Sequence, residues 1–183
     1  MNVIFRRTGQ RRYAVIVQIP GKSDQAMDPA PGFHPYIPHD LVHYVVEAEL
    51  KLQAGVFGRA ARGGGTFIAG LSGEASALRA RERARARRKQ ARRERALARD
   101  EPSDAQMRAS ERLAYLSDVA WRRSQGQKPD PASAQAPTPL TSEESTRVER
   151  VVRRLHELAP RWHGLAVGGQ LVFAWPSLDP ANL

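Results

Sequence analysis

The residues most able to do chemistry lie close together in Pro38-His39-Asp40-Leu41-Val42-His43-Tyr44-Val45-Val46-Glu47-Ala48-Glu49-Leu50-Lys51-Leu52. On a helix at about 100° per residue, His39, His43 and Glu47 follow one another at four-residue steps, with Asp40 a little further round toward Tyr44 and Lys51. Two imidazoles one turn apart can share a divalent cation such as zinc, or a polar ligand, and a nearby carboxylate can hold a ring in one tautomer. Glu47 lies about 12 Å along the axis from His39, too far to share one ion with it at 1.5 Å per residue. Its expected place is behind His43, as a supporting carboxylate, or in a pair with Lys51. A third ligand would come from His34 in the preceding loop, or from His156 or His163. The plainer alternative is a packed helix in which His39 and Asp40 serve the first turn and His43 is a partly buried polar residue.

The element that must position this set is the helix itself. Leu41, Val45, Ala48 and Leu52 make an apolar strip, widened by Val42 and Val46, which calls for burial against a partner. Pro38 suits a helix start, Asp40 suits the first turn, and Gly55 is the expected stop. Upstream, residues 2–7 and 12–19 alternate as strands about Thr8-Gly9-Gln10, with Tyr13, Val15, Val17 and Ile19 on one face, which predicts a β-hairpin. Five prolines between 20 and 38 predict an extended loop, in which Phe33, His34, Tyr36 and Ile37 are placed to fold back over the helix start.

Downstream, Gly55 to Phe67 alternates glycine with arginine. It matches neither phosphate-loop nor dinucleotide spacing and reads as a flexible turn. Residues 74–100 are rich in Ala, Arg and Glu with only Leu78 and Leu97 large and apolar, a helix with no stripe to bury. Pro102-Ser103-Asp104 is expected to break it and to cap an amphipathic helix running to about Ser124, carrying Met107, Leu113, Leu116, Ala120 and Trp121. Residues 125–140 read as a disordered linker. Thr141 to Glu144 has the layout of a capping box, opening a helix with Val148, Val151, Val152, Leu155 and Leu158 in a stripe that ends at Pro160. A second hairpin is expected around Gly168-Gly169.

The predicted class is therefore α+β: a small antiparallel sheet from N- and C-terminal hairpins packed on a core helix, with an exposed Arg-rich helix. The expected organisation is 1–70 for hairpin, loop and histidine helix, 71–101 for the basic helix, 102–124 for the amphipathic helix, 125–140 for the linker, and 141–183 for the helix and hairpin that complete one domain. A chain of 183 residues with 41% hydrophobic residues can bury a modest core. No run approaches the 18 apolar residues of a membrane span, and the start of the chain lacks the layout of a secretory signal, so a cytoplasmic protein without a membrane partner is expected. With no cysteine, thiolate ligands and nucleophiles are excluded. No Gly-x-Ser-x-Gly elbow is present to support nucleophilic hydrolysis.

The net charge of +10 is concentrated in one place. Arg79, Arg81, Arg83, Arg85, Arg87, Arg88, Lys89, Arg92, Arg93, Arg95 and Arg99 face only Glu82 and Glu94, a local balance of +9. Such a run fits nucleic-acid phosphates or an acidic protein partner, with affinity blind to base sequence because the segment has no aromatic residue to stack. The competing reading is a solvated arm. A membrane-surface helix would need Leu, Phe or Trp opposite the charge.

The stretch Pro31-Gly32-Phe33-His34-Pro35-Tyr36-Ile37-Pro38-His39-Asp40-Leu41-Val42-His43-Tyr44-Val45-Val46-Glu47, continuing through Gly55-Val56-Phe57-Gly58, resembles a segment of small bacterial proteins that have no assigned activity. That resemblance covers about a fifth of the chain and implies kinship without a function. His39 and His43 are also similar to the two zinc ligands of the metallopeptidase pattern His-Glu-x-x-His, with Asp40 where that family has its water-activating Glu. Asp40, the candidate catalytic residue, is one methylene short for that role, so the resemblance implies binding rather than peptidase activity. The expectation taken forward is a polar or divalent-metal site of His39, His43 and His34 supported by Glu47; the alternative is a non-enzymatic nucleic-acid-binding or adaptor protein acting through 79–99.

Overall fold

The computed structural model of the chain describes residues 1–64, 67–69, 88, 91, 92, 95, 101–128 and 139–181. The class is α+β, with strands from both ends of the chain packed on helices. Strands β1 (Asn2–Gly9) and β2 (Arg12–Gln18) form the expected hairpin, paired Val3 with Val17 and Phe5 with Val15, and irregular between Arg7 and Gly9. Their alternation turns Val3, Phe5, Tyr13, Val15 and Val17 to one face, where each is fully buried.

Three further strands complete an all-antiparallel sheet of order β4-β3-β2-β1-β5. β3 (Gln25–Met27) lies in the proline-rich region read as loop, where three residues were too short to show a period. β4 (Ile68–Ala69) extends the sheet beyond it. β5 (Gln170–Ala174) pairs with β1 from Asn2 opposite Ala174 to Arg6 opposite Gln170. The expected C-terminal hairpin is thus a single strand, because the residues before Gly168 belong to a helix end and its turn. Among the described residues the chain returns in a one-residue bridge of Phe173 to Pro180.

Helix α1 (His39–Glu49) starts after Pro38 as expected and lies on the buried sheet face. Leu41, Val42, Val45 and Val46 are at most 1% exposed. Phe5, Tyr44, Phe57 and Phe173 pack edge-on or tilted with centroids 4.8 to 6.0 Å apart, locking sheet to helix. The helix stops at Leu50, short of Gly55, and Gly55 instead precedes α2 (Val56–Ala61), where a flexible turn was expected. The loop before α1 folds back: Ile37 is buried, the Trp162 indole donates to the His34 carbonyl at 3.2 Å, and His39 N–H donates to the Gly32 carbonyl at 3.1 Å. Gly32 has φ +71°, and a Cβ there would stand 2.6 Å from that of His39.

Helix α3 (Glu101–Ser124) already contains Pro102, Ser103 and Asp104, so the expected cap at Ser103 or Asp104 falls inside it; the expected break from the helix over 74–100 lies outside the described residues. Proline is tolerated in a first turn, whose N–H groups have no helical acceptor. Helix α4 (Ser142–His163) opens with the full capping box: Glu144 N–H donates to Thr141 Oγ1 at 3.1 Å, and Thr141 N–H to Glu144 Oε2 at 3.0 Å. Rather than ending at Pro160, α4 continues to His163, since a proline so near the end forfeits one bond while Gly164 N–H closes on its carbonyl at 3.0 Å. Its stripe of Val148, Val151, Leu155 and Leu158 is buried. The expected arm over 74–100 and linker over 125–140 fall largely outside the described residues. Within them, Arg88, Ala91, Arg92 and Arg95 are helical and exposed, and 125–127 form the turn that ends α3. Among the described residues no helix is long and apolar enough to cross a membrane.

Candidate functional site

The polar edge of α1 meets α3 at Ser110 and Glu111. Ser103, Ser110 and Ser117 recur every seven residues and are all buried, yet only Ser110 meets α1 through its hydroxyl; Ser103 Oγ and Ser117 Oγ have no partner among the described residues. Ser110 Oγ donates to Glu47 Oε1 at 2.8 Å and lies 3.2 Å from His43 Nδ1. His43 Nε2 is 3.1 Å from His39 Nε2 and 3.6 Å from Glu111 Oε2. His39 and Glu111 are exposed, whereas His43, Ser110 and Glu47 are at most 3% exposed. One hydrogen-bonded chain therefore runs from the surface to a sealed carboxylate.

Glu47 holds the inner end. Its carboxylate receives the first N–H groups of α2, from Val56 at 2.6 Å, Phe57 at 2.9 Å and Gly58 at 3.4 Å, which is how a helix start takes a negative charge. Gly55 permits the approach, since a Cβ there would sit 2.2 Å from the carboxyl group. The glycine-arginine stretch thus serves to bring a helix start onto Glu47. Its Arg59 is buried and donates to the carbonyls of Ala54 and Ser103, at 2.9 and 3.2 Å. Burial raises the Glu47 pKa to about 7 against the pull of Ser110 and the three amides.

Proton counting fixes the rest. An ionised Glu47 can only accept, so Ser110 gives its single hydroxyl proton to Glu47 and must accept from His43 Nδ1–H. His43 then has its lone pair on Nε2, facing His39 and Glu111. Burial, with His39 beside it, lowers the His43 pKa to about 3, so the ring is neutral over the physiological range. His39 donates through Nε2, which leaves the Nδ1 of this exposed residue as the outer acceptor of the chain.

Asp40 has a different surrounding. It is buried, and its Oδ2 lies 2.5 Å from the hydroxyl of Tyr13 on β2, which also contacts the Pro31 carbonyl. Its pKa is raised chiefly by burial and further by Glu111, while Tyr13 and His39 oppose the shift. The Tyr13 hydroxyl is pushed up by burial and by Asp40. Asp40 faces the sheet and carries no solvent-facing role.

The remaining expected ligands are elsewhere. His34 Nδ1 accepts from the N–H groups of Tyr36 and Ile37 at 3.4 Å and its ring meets Trp121 edge-on; His156 lies against Ser124 and Gln125; His163 stacks on Tyr36 and bonds the Pro35 carbonyl. Among the described residues no three His, Asp or Glu side chains are arranged to hold a metal ion. His39 and His43 come together as the spacing requires, His34 does not join them, and Glu47 supports His43 through Ser110 rather than directly. Ser110, Glu111 and Tyr13 are the participants that the sequence reading missed. The seven-residue serine spacing was visible, but α3 was read by its large apolar residues alone. No protein-family model matches the chain, and neither curated proteins nor solved structures gave a match.

Proposed function

We propose that the protein binds a small polar ligand, a cationic or hydrogen-bond-donating group, at the rim formed by His39, His43 and Glu111. The observation that carries this reading is the chain Glu47–Ser110–His43–His39, in which an ionised Glu47 turns every proton inward and leaves the outer nitrogen of the exposed His39 as the acceptor at the rim. The Glu111 carboxylate, 3.6 Å from His43 Nε2, adds the negative charge a cation would meet. A zinc ion at His39 and His43 would lack a third protein ligand among the described residues.

The test uses methylammonium as probe and the histidine side-chain resonances of the full chain as readout. A two-heavy-atom cation binds with a Kd on the order of millimolar or weaker. Saturable shifts at His39 and His43, weakened by Glu111→Gln and abolished by His43→Phe, are expected. Wild-type resonances that do not move at any concentration would refute the reading.

A second reading rests on charge: eleven basic residues against two acidic between 79 and 99, with Arg88, Arg92 and Arg95 exposed on helix. A phosphate-binding surface of this kind gives affinity that falls steeply with salt. A chain with a neutral helix over 79–99 should lose both nucleic-acid affinity and the salt slope; retention of both would remove this reading.

A further inference from the structure

We infer that Ser110 relays a proton between Glu47 and His43, so that the protonation state of the buried carboxylate sets whether the His39–His43 rim accepts or donates a hydrogen bond. This inference names the regulation of the proposed ligand site and so rests on that reading for its consequence, though the relay itself stands on the buried chain.

With Glu47 ionised, every proton in the chain points inward: His39 Nε2–H to His43 Nε2, His43 Nδ1–H to Ser110 Oγ, Ser110 O–H to Glu47 Oε1. Add one proton at the exposed Nδ1 of His39. His39 then passes its Nε2 proton to His43 Nε2, His43 passes its Nδ1 proton to Ser110, and Ser110 passes its own to Glu47. Each N–H or O–H bond that breaks is matched by one that forms, and one proton has been taken from solvent and stored on Glu47 without either imidazole keeping a charge. The final chain points outward: Glu47 donates to Ser110, Ser110 to His43 Nδ1, and His43 Nε2–H to His39, whose Nδ1–H now faces solvent.

On Glu47 the geometry leaves the proton one direction. The Glu47 carboxylate already accepts three amides, which are donors only, so a carboxylic proton must point along the fourth contact, at Ser110. The charged and titratable groups about Glu47 are few. His43 is on its own helix, Arg59 of α2 donates to backbone carbonyls, and Glu111 of α3 faces His43; Arg150 and Arg154 of α4 pair with the neighbouring Glu49. Among the described residues no ion pair to Glu47 pins it in one state, and its pKa near neutrality lets both states be populated.

The outward state offers a donor at His39 and therefore suits a carboxylate or carbonyl ligand, whereas the inward state suits an ammonium or hydroxyl group. Lowering the pH thus changes the class of ligand the rim takes as well as its affinity.

The experiment follows two signals in the full-length chain between pH 5.5 and 8.5. Nitrogen shifts of 15N-labelled His43 report its tautomer, and the infrared carbonyl band of a protonated carboxylic acid, identified by its loss in Glu47→Gln, reports Glu47. The expected result is one shared midpoint, with His43 moving from Nδ1–H to Nε2–H as the band appears. In Ser110→Ala the band should still titrate while His43 keeps one tautomer. A wild-type His43 tautomer that stays constant while Glu47 titrates overturns the relay, as does a tautomer change that survives Ser110→Ala. Ligand probes are scored separately: methylammonium affinity about tenfold weaker at pH 5.5 than at pH 8.5 supports the rim's dependence on the relay. A coupled switch without methylammonium binding at either pH keeps the relay and discards the ligand reading.

Discussion

The two ends of α1 bury one acid each, and they solve the same problem in opposite ways. Asp40 sits against a single phenol on the sheet, whereas Glu47 collects three backbone amides and a hydroxyl from two other helices. At the Asp40 end one Tyr13 proton faces two acceptors, the Pro31 carbonyl and Asp40. Burial raises the Asp40 pKa, while the Tyr13 hydrogen bond and His39 oppose the shift. At the Glu47 end four donors converge, so the carboxylate is wanted as an acceptor even though burial opposes its charge. The first acid is a quiet structural group. The second is poised between two states, and only the second connects to the surface, through His43 and His39.

The sharpest way to break that contrast is truncation. Glu47→Ala strands three amides and Ser110 around a cavity and should cost about 3–5 kcal/mol in denaturant unfolding. Gly55→Ala attacks the same end from outside, forcing a methyl group into the Glu47 carboxyl, and should cost about 2–3 kcal/mol. Amide substitutions then sharpen it. Glu47→Gln turns an NH2 against backbone donors and should lose about 2 kcal/mol, while Asp40→Asn keeps an oxygen to accept from the Tyr13 hydroxyl and should lose about 0.5 kcal/mol or less. Equal losses from the two would erase the distinction between the ends.

Stability against pH reads the Glu47 end by itself, through the opposed shifts of Glu47 and His43. The Glu47 pKa is raised from 4.5 to about 7, so the folded state holds the extra proton in that window and this group makes stability fall as pH rises from 4.5 to 7. His43 is lowered from 6.5 to about 3, so the unfolded state holds the extra proton and this group makes stability fall as pH drops from 6.5 to 3. Between pH 4.5 and 6.5 the two slopes have opposite signs and should largely cancel in the wild type. Unfolding curves of Glu47→Gln should expose the His43 slope alone, with stability rising by about 1 kcal/mol per pH unit through that range. The smallest effect is expected at His39: His39→Ala should change stability by less than about 0.5 kcal/mol, because the ring is exposed, while abolishing methylammonium shifts.

Much of the scaffold was legible in the chain because its signals are local. Alternation in 2–7 and 12–19, the strip of α1, and the box at Thr141 to Glu144 each follow from periods or spacings within a few residues. The His39–His43 contact belongs to the same kind, being fixed by one helical turn. What was not legible depends on partners far apart in sequence: Ser110 is 63 residues from Glu47 and 67 from His43, and Tyr13 is 27 from Asp40. Gly55 was read as a stop because its need is set by the carboxyl group of Glu47 rather than by its own neighbours. The last long helix runs past Pro160 because an end position of a helix excuses a missing N–H, and ends are set by tertiary packing.

The direct measurement is the tautomer of His43 in the wild-type chain at pH 8.5, read from its two ring-nitrogen shifts. With Glu47 ionised, the proton should be on Nδ1 and the lone pair on Nε2. A proton found on Nε2 at that pH would mean that Ser110 does not donate to Glu47, and that the rim is not the acceptor built by the buried chain.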